Sequence, residues 1–131
     1  DIALNSGPNP VQNESIARRQ GIPKRYLEQT LQILVKNKIL VGSRGPKGGY
    51  SLAKERRRIK ISDIIKSVSN EDSLIHTFNS ELSKKIVVPL INDISFKCLE
   101  KFNNISIEEV CRIAKTKKLK KNISKKVDFV I

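Results

Sequence analysis

Residues 15–52 read SIARRQGIPKRYLEQTLQILVKNKILVGSRGPKGGYSL. In order, this stretch predicts a short helix ending at Gln20, a tight turn through Gly21-Ile22-Pro23, a longer amphipathic helix, and a two-stranded hairpin closing around Arg44-Gly-Pro-Lys-Gly-Gly-Tyr50. Gly21 suits the left-handed position that ends a helix. Pro23 suits the first position of the next helix, where its missing N–H costs nothing. Tyr26, Leu27, Leu31, Leu34 and Val35 recur at helical spacing and predict one apolar stripe. Lys24, Arg25, Glu28, Gln32 and Lys36 fall on the other face. Such a face, standing alone, also fits a plain solvated surface. Its position after a helix and a turn, and before a hairpin, favours base reading, because helix-turn-helix-wing is an order that places a helix in the DNA major groove.

The hairpin strands are expected at Ile39-Leu-Val41 and Tyr50-Ser-Leu52. The glycine-rich Gly45-Pro-Lys-Gly-Gly49 between them resembles a phosphate-cradling loop only superficially. It lacks the Gly-Lys-Ser/Thr ending and the strand-to-helix context that such a loop needs. As a wing, it carries Arg44 and Lys47 toward the DNA backbone or a narrow minor groove, which attracts arginine.

Before this stretch, Ile2-Ala3-Leu4 reads as the last turn of a helix, broken by Ser6-Gly-Pro-Asn-Pro10. The chain contains no methionine, so a missing native N-terminus is expected. After the hairpin, Lys54 to Lys60 is a charge run expected to be a solvated connection. Ser62 is expected to cap a short helix that buries Ile61, Ile64, Ile65 and Val68. Ser69 to Leu82 is polar and reads as a loop. A long helix is expected from near Val88, with Pro89 in its first turn. Its stripe holds Leu90, Ile91, Ile94, Cys98 and Phe102, flanked by Val87, Leu99 and Ile105. Such a helix needs a partner, and a second copy of the chain fits. Ser106-Ile-Glu-Glu109 is a capping box opening a last short helix, with Val110, Cys111, Ile113 and Ala114 inward.

Charge divides the chain in the same places. Residues 1–60 carry 13 Lys/Arg against 4 Asp/Glu, residues 61–114 carry 6 against 8, and residues 115–131 carry 7 against 1, within a total of +13. A basic head fits a polyanion, a near-neutral middle fits packing, and a basic tail fits a frayed arm. The expected organisation is a winged helix-turn-helix domain over 1–68, a loop over 69–87, a dimerisation helix and closing helix over 88–114, and a basic tail over 115–131. The fold class is mainly α with a two-stranded β-wing.

Composition removes other classes. No run of about 18 apolar residues exists to cross a membrane, and no signal-peptide pattern opens the chain. Cys98 and Cys111 are too few for a disulfide scaffold and fit a reducing cytoplasm. A single histidine, with no metal-ligand spacing and no nucleophile–base pair, argues against an enzyme. A basic RNA-binding or architectural protein without sequence preference is the main rival. The scarcity of aromatics (Tyr 2, Phe 4, Trp 0) counts against single-strand stacking.

Gln20-Gly-Ile, Tyr26-Leu-Glu-Gln29 and Arg44-Gly-Pro-x-Gly-Gly-Tyr50, with Asp63-Ile-Ile and Phe102-Asn-Asn-Ile-Ser-Ile107 behind them, resemble the Rrf2 family of bacterial winged-helix regulators (IscR/NsrR/CymR-type). The resemblance runs to about Ala114. It implies a homodimeric regulator of transcription, in the first instance a repressor, whose long helix pairs two subunits on double-stranded DNA. It places Glu28 where the family has a base-contacting acid, and Arg44 where it has a minor-groove arginine. Lys24, Arg25, Gln32 and Lys47 complete the expected DNA face. In cluster-binding members, three cysteines stand in the loop before the dimer helix. Without gaps, those positions fall here on Ser73, Asn79 and Lys85, and a histidine ligand of some members falls on Val88. His76 lies in the same loop, alone. The resemblance therefore implies a variant with no iron–sulfur cluster, no metal and no cofactor. A thiol-responsive regulator using Cys98 or Cys111 is the alternative, although both cysteines occupy hydrophobic positions that suit packing. The effector has no signature in the sequence.

Overall fold

Helix α3 (Lys24–Lys36) is the element around which the N-terminal half is built. In a computed structural model of the chain, residues 1–69 and 79–117 are described. Two short helices precede α3: α1 (Ile2–Asn5) and α2 (Asn13–Gln20). Helix α2 stops at Gly21, whose φ of 64° is the left-handed conformation that glycine adopts without a Cβ penalty. Pro23 stands one place before α3 rather than in its first position. Its φ of −56° suits a helix, but its ψ of 131° is extended, so it caps the helix instead of beginning it.

The core contains Ile2, Val11, Ile16, Leu27, Leu31, Ile39, Leu40 and Ile59. Fully burying each such aliphatic side chain contributes about 1.5–3 kcal/mol. Leu27 and Leu31 are the buried residues of α3, with Leu34 and Val35 packed beside them. Tyr26 leaves the expected stripe and is 67% exposed. The stripe is centred on the Leu27–Leu31 line, and Tyr26 is rotated from it by about 100°. It joins the outer face instead.

Strand β1 (Leu40–Ser43) pairs antiparallel with β2 (Gly49–Leu52), Leu40 opposite Leu52 and Ser43 opposite Gly49. Each strand starts one residue away from its expected position. Val11 adds a third rung: its N–H donates to the Tyr50 carbonyl at 2.9 Å, and the Tyr50 N–H donates back at 2.8 Å. Gly49 lies so close to Val11 that a Cβ would run into the Val11 carbonyl, and a Cβ at Gly48 would sit 2.5 Å from the Ser43 oxygen. The glycines of this motif serve close backbone approach in a hairpin.

The charge run after β2 is not only a solvated link. It holds a 3-10 turn (Arg56–Arg58) and the buried Ile59. Arg56 is half-buried and its guanidinium donates to the Ala3 carbonyl, closing the end of α1. Helix α4 (Ile61–Val68) follows. Ser62 lies inside its first turn instead of capping it. The residue is 1% exposed, and its hydroxyl donates to Asn103 Oδ1 at 3.1 Å. Lys60 takes the cap position, its N–H donating to Asp63 Oδ2 at 3.1 Å. Val68, at the end of α4, is exposed rather than buried.

Of the expected loop, residues 70–78, including Ser73 and His76, lie outside the described residues. The chain is helical again from Glu81, and a π-turn (Ser83–Val87) leads directly into α5 (Val88–Asn103). The long helix therefore begins before Val88. Pro89 explains the wide turn: it lacks an N–H and its ring crowds the carbonyl four residues back, so the backbone loosens there. The Val88 N–H donates to Ser83, five residues back.

No residue of α5 is buried. It packs on α4, and its outer stripe is bare: Leu90, Ile91 and Ile94 are 59%, 55% and 54% exposed. Helix α6 (Ile107–Thr116) is capped by Ser106, whose Oγ accepts from the Glu109 N–H at 3.3 Å. Cys111 and Ala114 are buried as expected, while Val110 and Ile113 are exposed. The buried strip of α6 runs through Cys111 and Ala114, with Ile107 packed against the core, and the helix lies against α1 and the 3-10 turn. Backbone bonds join the two halves. The Ile61 N–H donates to Ile105 at 3.0 Å, and the Ile107 N–H donates to Ile59 at 2.9 Å. The basic tail from residue 118 lies outside the described residues.

Gly49→Ala should lower unfolding free energy by about 1–3 kcal/mol, the usual cost of forcing an atom into packed backbone. Gly7→Ala, with nothing within 4 Å of the new Cβ, should stay within about 0.5 kcal/mol. Urea denaturation of the two variants measures both.

Candidate nucleic-acid interface

Lys24, Glu28, Gln32 and Lys36 follow each other at intervals of four and form one ridge along α3. The hairpin stands beside this ridge. Between them is an open cleft of about 730 Å³, walled by the ridge on one side and by Gly42, Ser43, Arg44 and Tyr50 on the other. Gln12, Asn13 and Glu14, at the start of α2, close it at the base.

Four of the six expected DNA-binding residues, Lys24, Glu28, Gln32 and Arg44, line this cleft together. Arg25 and Lys47 do not. Arg25 is one residue round the helix from the ridge, and Lys47 sits at the hairpin tip, so both face solvent. All six side chains are exposed. Among the described residues, none of Lys24, Arg25, Glu28, Arg44 or Lys47 forms an ion pair, which leaves their charges available to a ligand. The cleft mixes signs: Lys24, Lys36 and Arg44 oppose Glu14 and Glu28. A purely electrostatic DNA clamp gains nothing from carboxylates. A surface that reads bases does, because a carboxylate accepts from the cytosine amino group.

Sequence reasoning missed three contributors. Tyr26 and Gln29 share the exposed side of α3 with Arg25. The spacing of Gln29 four residues after Arg25 is a signal for this side, whereas the apolar type of Tyr26 points to the core. Asn13 had no sequence signal beyond opening a helix. Both polar atoms of its side chain are shielded from solvent and lack a hydrogen-bond partner among the described residues. A buried polar group left unmatched costs about 1–3 kcal/mol, so this amide at the cleft base is a position where water or a ligand would be bound. Gln12 also braces the wing, its Nε2 donating to the Pro46 carbonyl at 3.4 Å.

The expected dimerisation residues Leu90, Ile91, Ile94, Cys98 and Phe102 are all exposed on α5. Of the two cysteines expected to pack, Cys111 is buried and Cys98 is exposed. The residues at the family's cluster-ligand positions do not fit a thiolate-held cluster. Asn79 offers an amide, Val88 offers nothing, and Lys85 is a cation already paired with Glu81 at 2.7 Å. Cys98 and Cys111 lie on different helices, and no group of three or more His, Cys, Asp or Glu suited to a metal occurs among the described residues. Nor is any described helix long and apolar enough to cross a membrane.

Known proteins share this architecture. The family model Rrf2, described as "Iron-dependent Transcriptional regulator", matches residues 1–113. The HTH-type transcriptional regulator IscR of Sodalis glossinidius is 32% identical over 114 residues, covering 84% of this chain and 69% of that protein. The IscR of Cronobacter sakazakii is 44% identical over 68 residues, 52% of this chain and 42% of that protein. Among solved structures, T. potens IscR superposes with a TM-score of 0.67 at 31% identity, covering 90% of this chain and 80% of that one. This chain belongs to the Rrf2 family of transcriptional regulators.

Proposed function

We propose that the chain is a sequence-specific regulator that grips duplex DNA as a homodimer and works without an iron–sulfur cluster. The observation that carries this reading is the cleft, in which an exposed recognition ridge and an arginine-bearing wing stand side by side. The sugar–phosphate backbone of a duplex separates its two grooves. A helix in the major groove and a wing over the neighbouring minor groove straddle that backbone, and a cleft between them is the shape required. Lys24 and Arg25 contact bases or phosphates at the start of α3. Arg44 and Lys47 hold the wing, and the surrounding lysines supply salt-sensitive attraction. Glu28 discriminates. It repels phosphates and so adds no general affinity, but it rewards a cytosine at one position. The exposed α5 stripe supports a two-fold pairing of chains, which sets two recognition helices about one helical turn apart, roughly 34–36 Å.

Glu28→Ala should cut the ratio of specific to random-duplex affinity by about one to two orders of magnitude, corresponding to a base contact of roughly 1–3 kcal/mol. Random-duplex affinity should hold or rise. Arg44→Ala should instead weaken both and reduce the salt slope by about one charge. Competition binding at several salt concentrations checks each. An unchanged ratio for Glu28→Ala favours the rival reading as a non-specific basic binder.

Sedimentation should find a dimer that Ile94→Asp, in the exposed stripe, converts to monomer with its helices intact by circular dichroism. A monomer that retains full affinity for the specific duplex would contradict the pairing.

Protein purified without oxygen should be colourless and free of stoichiometric iron and acid-labile sulfide, and should bind DNA equally well after exposure to air. Absorption near 400 nm that scales with protein and disappears in a Cys98→Ser, Cys111→Ser double variant would overturn this.

A further inference from the structure

A second pocket, of about 230 Å³, opens beyond the C-terminal end of α3 and shares no lining residue with the cleft. Four cations line it: Lys38 from the turn after α3, Lys54 and Arg58 from the segment after β2, and Lys66 from α4. Asp63 is its single carboxylate, and one of its oxygens already accepts from the Lys60 backbone N–H. None of the four cations is ion-paired among the described residues. The buried Ile39 and Ile59 form part of the lining and fix the segments that carry Lys38 and Arg58.

The backbone makes Lys38 the telling residue. It is the one non-glycine residue with positive φ among those described, at 58°. The helix end requires that conformation, since the Lys38 N–H donates to Val35 and the next N–H, of Ile39, donates to Leu34, each at 3.0 Å. Glycine or asparagine is the usual occupant of such a position. A side chain with a Cβ is disfavoured there, because the Cβ crowds the following carbonyl oxygen. Local conformation therefore disfavours lysine at this place. What lysine adds is a fourth positive charge on a pocket where three others already repel one another.

We infer that this pocket binds a phosphoryl group. Three lysines and an arginine line a space large enough for a phosphoryl group, and Arg58 supplies the planar fork that can meet two phosphate oxygens at once. A small phosphorylated molecule and the backbone of DNA extending past the recognition site present the same chemistry.

The test uses the full chain and inorganic phosphate, titrated at constant ionic strength against chloride. Backbone amide resonances of Lys38, Lys54, Arg58 and Lys66 should shift saturably. Lys38→Gly and Lys66→Ala should each weaken phosphate binding by about tenfold, the loss of one charge-assisted hydrogen bond. Lys38→Gly is the cleaner variant, because glycine accepts the required φ and the fold is kept. A second arm compares wild type and the Lys38→Gly, Lys66→Ala double variant on duplexes of increasing length. An affinity gap that grows with length identifies the DNA backbone as the source. Equal affinity at every length, with phosphate binding lost, identifies a small phosphorylated molecule. No saturable shift at these four residues, or shifts of unchanged affinity in Lys38→Gly and Lys66→Ala, would overturn the inference.

Discussion

The reciprocal pair of backbone hydrogen bonds between Val11 and Tyr50 is the constraint on which the site depends. A two-stranded hairpin alone is marginal in water. Here it is held from the side by the residue that leads into α2, and only glycine at position 49 allows the two backbones so close. The same segment carries Gln12, which reaches the wing, and Asn13, at the base of the cleft. One short stretch, residues 11–13, thus sets the wing against the two helices. The buried Ile39 and Leu40 already tie the hairpin to α3, and the Val11 rung adds a second tie from the start of α2, so the spacing between Arg44 and Glu28 is held from two sides.

A second set of constraints joins this unit to α5. The Ile59–Ile61 segment pairs with Ile105–Ile107, and the buried Ser62 hydroxyl meets Asn103 at the last turn of α5. These contacts are polar and specific in register. They link the orientation of the recognition ridge to that of the exposed stripe on α5. Pairing of two chains through that stripe would therefore fix how two ridges face one DNA. Removing Asn103 would strand the buried Ser62 hydroxyl, whereas Asn103 itself is exposed and could turn to water if Ser62 were removed.

Much of this was legible in the residues because glycine, proline and the helix caps act through local backbone geometry. Gly21, Pro23, the glycines of the wing and Ser106 all mark element ends within a residue or so of their true places. The exposed polar ridge of α3 was legible for the same reason: its spacing of four is a property of the helix itself. The parts that escaped depend on contacts distant in sequence. Val11 is a single valine between proline and glutamine, with no periodicity to show that it pairs 39 positions later, with Tyr50. Ile59 hides in a run of arginines. Tyr26 looked apolar by type, but its angle on the helix turns it outward. Pro89 marked a helix start by convention, whereas the chain absorbs it in a π-turn and continues. Ser62 has the chemistry of a cap but spends its hydroxyl on Asn103 instead.

On the proposed reading, the ridge and wing together recognise a defined sequence. Selection of bound duplexes from a random pool tests this most directly, with the full chain as bait and several rounds at moderate salt. The expected result is convergence on one motif with two-fold symmetry, carrying a fixed cytosine in each half that is lost when the selection is repeated with Glu28→Ala. A pool that stays random after selection, while bulk duplex affinity remains high, would contradict it.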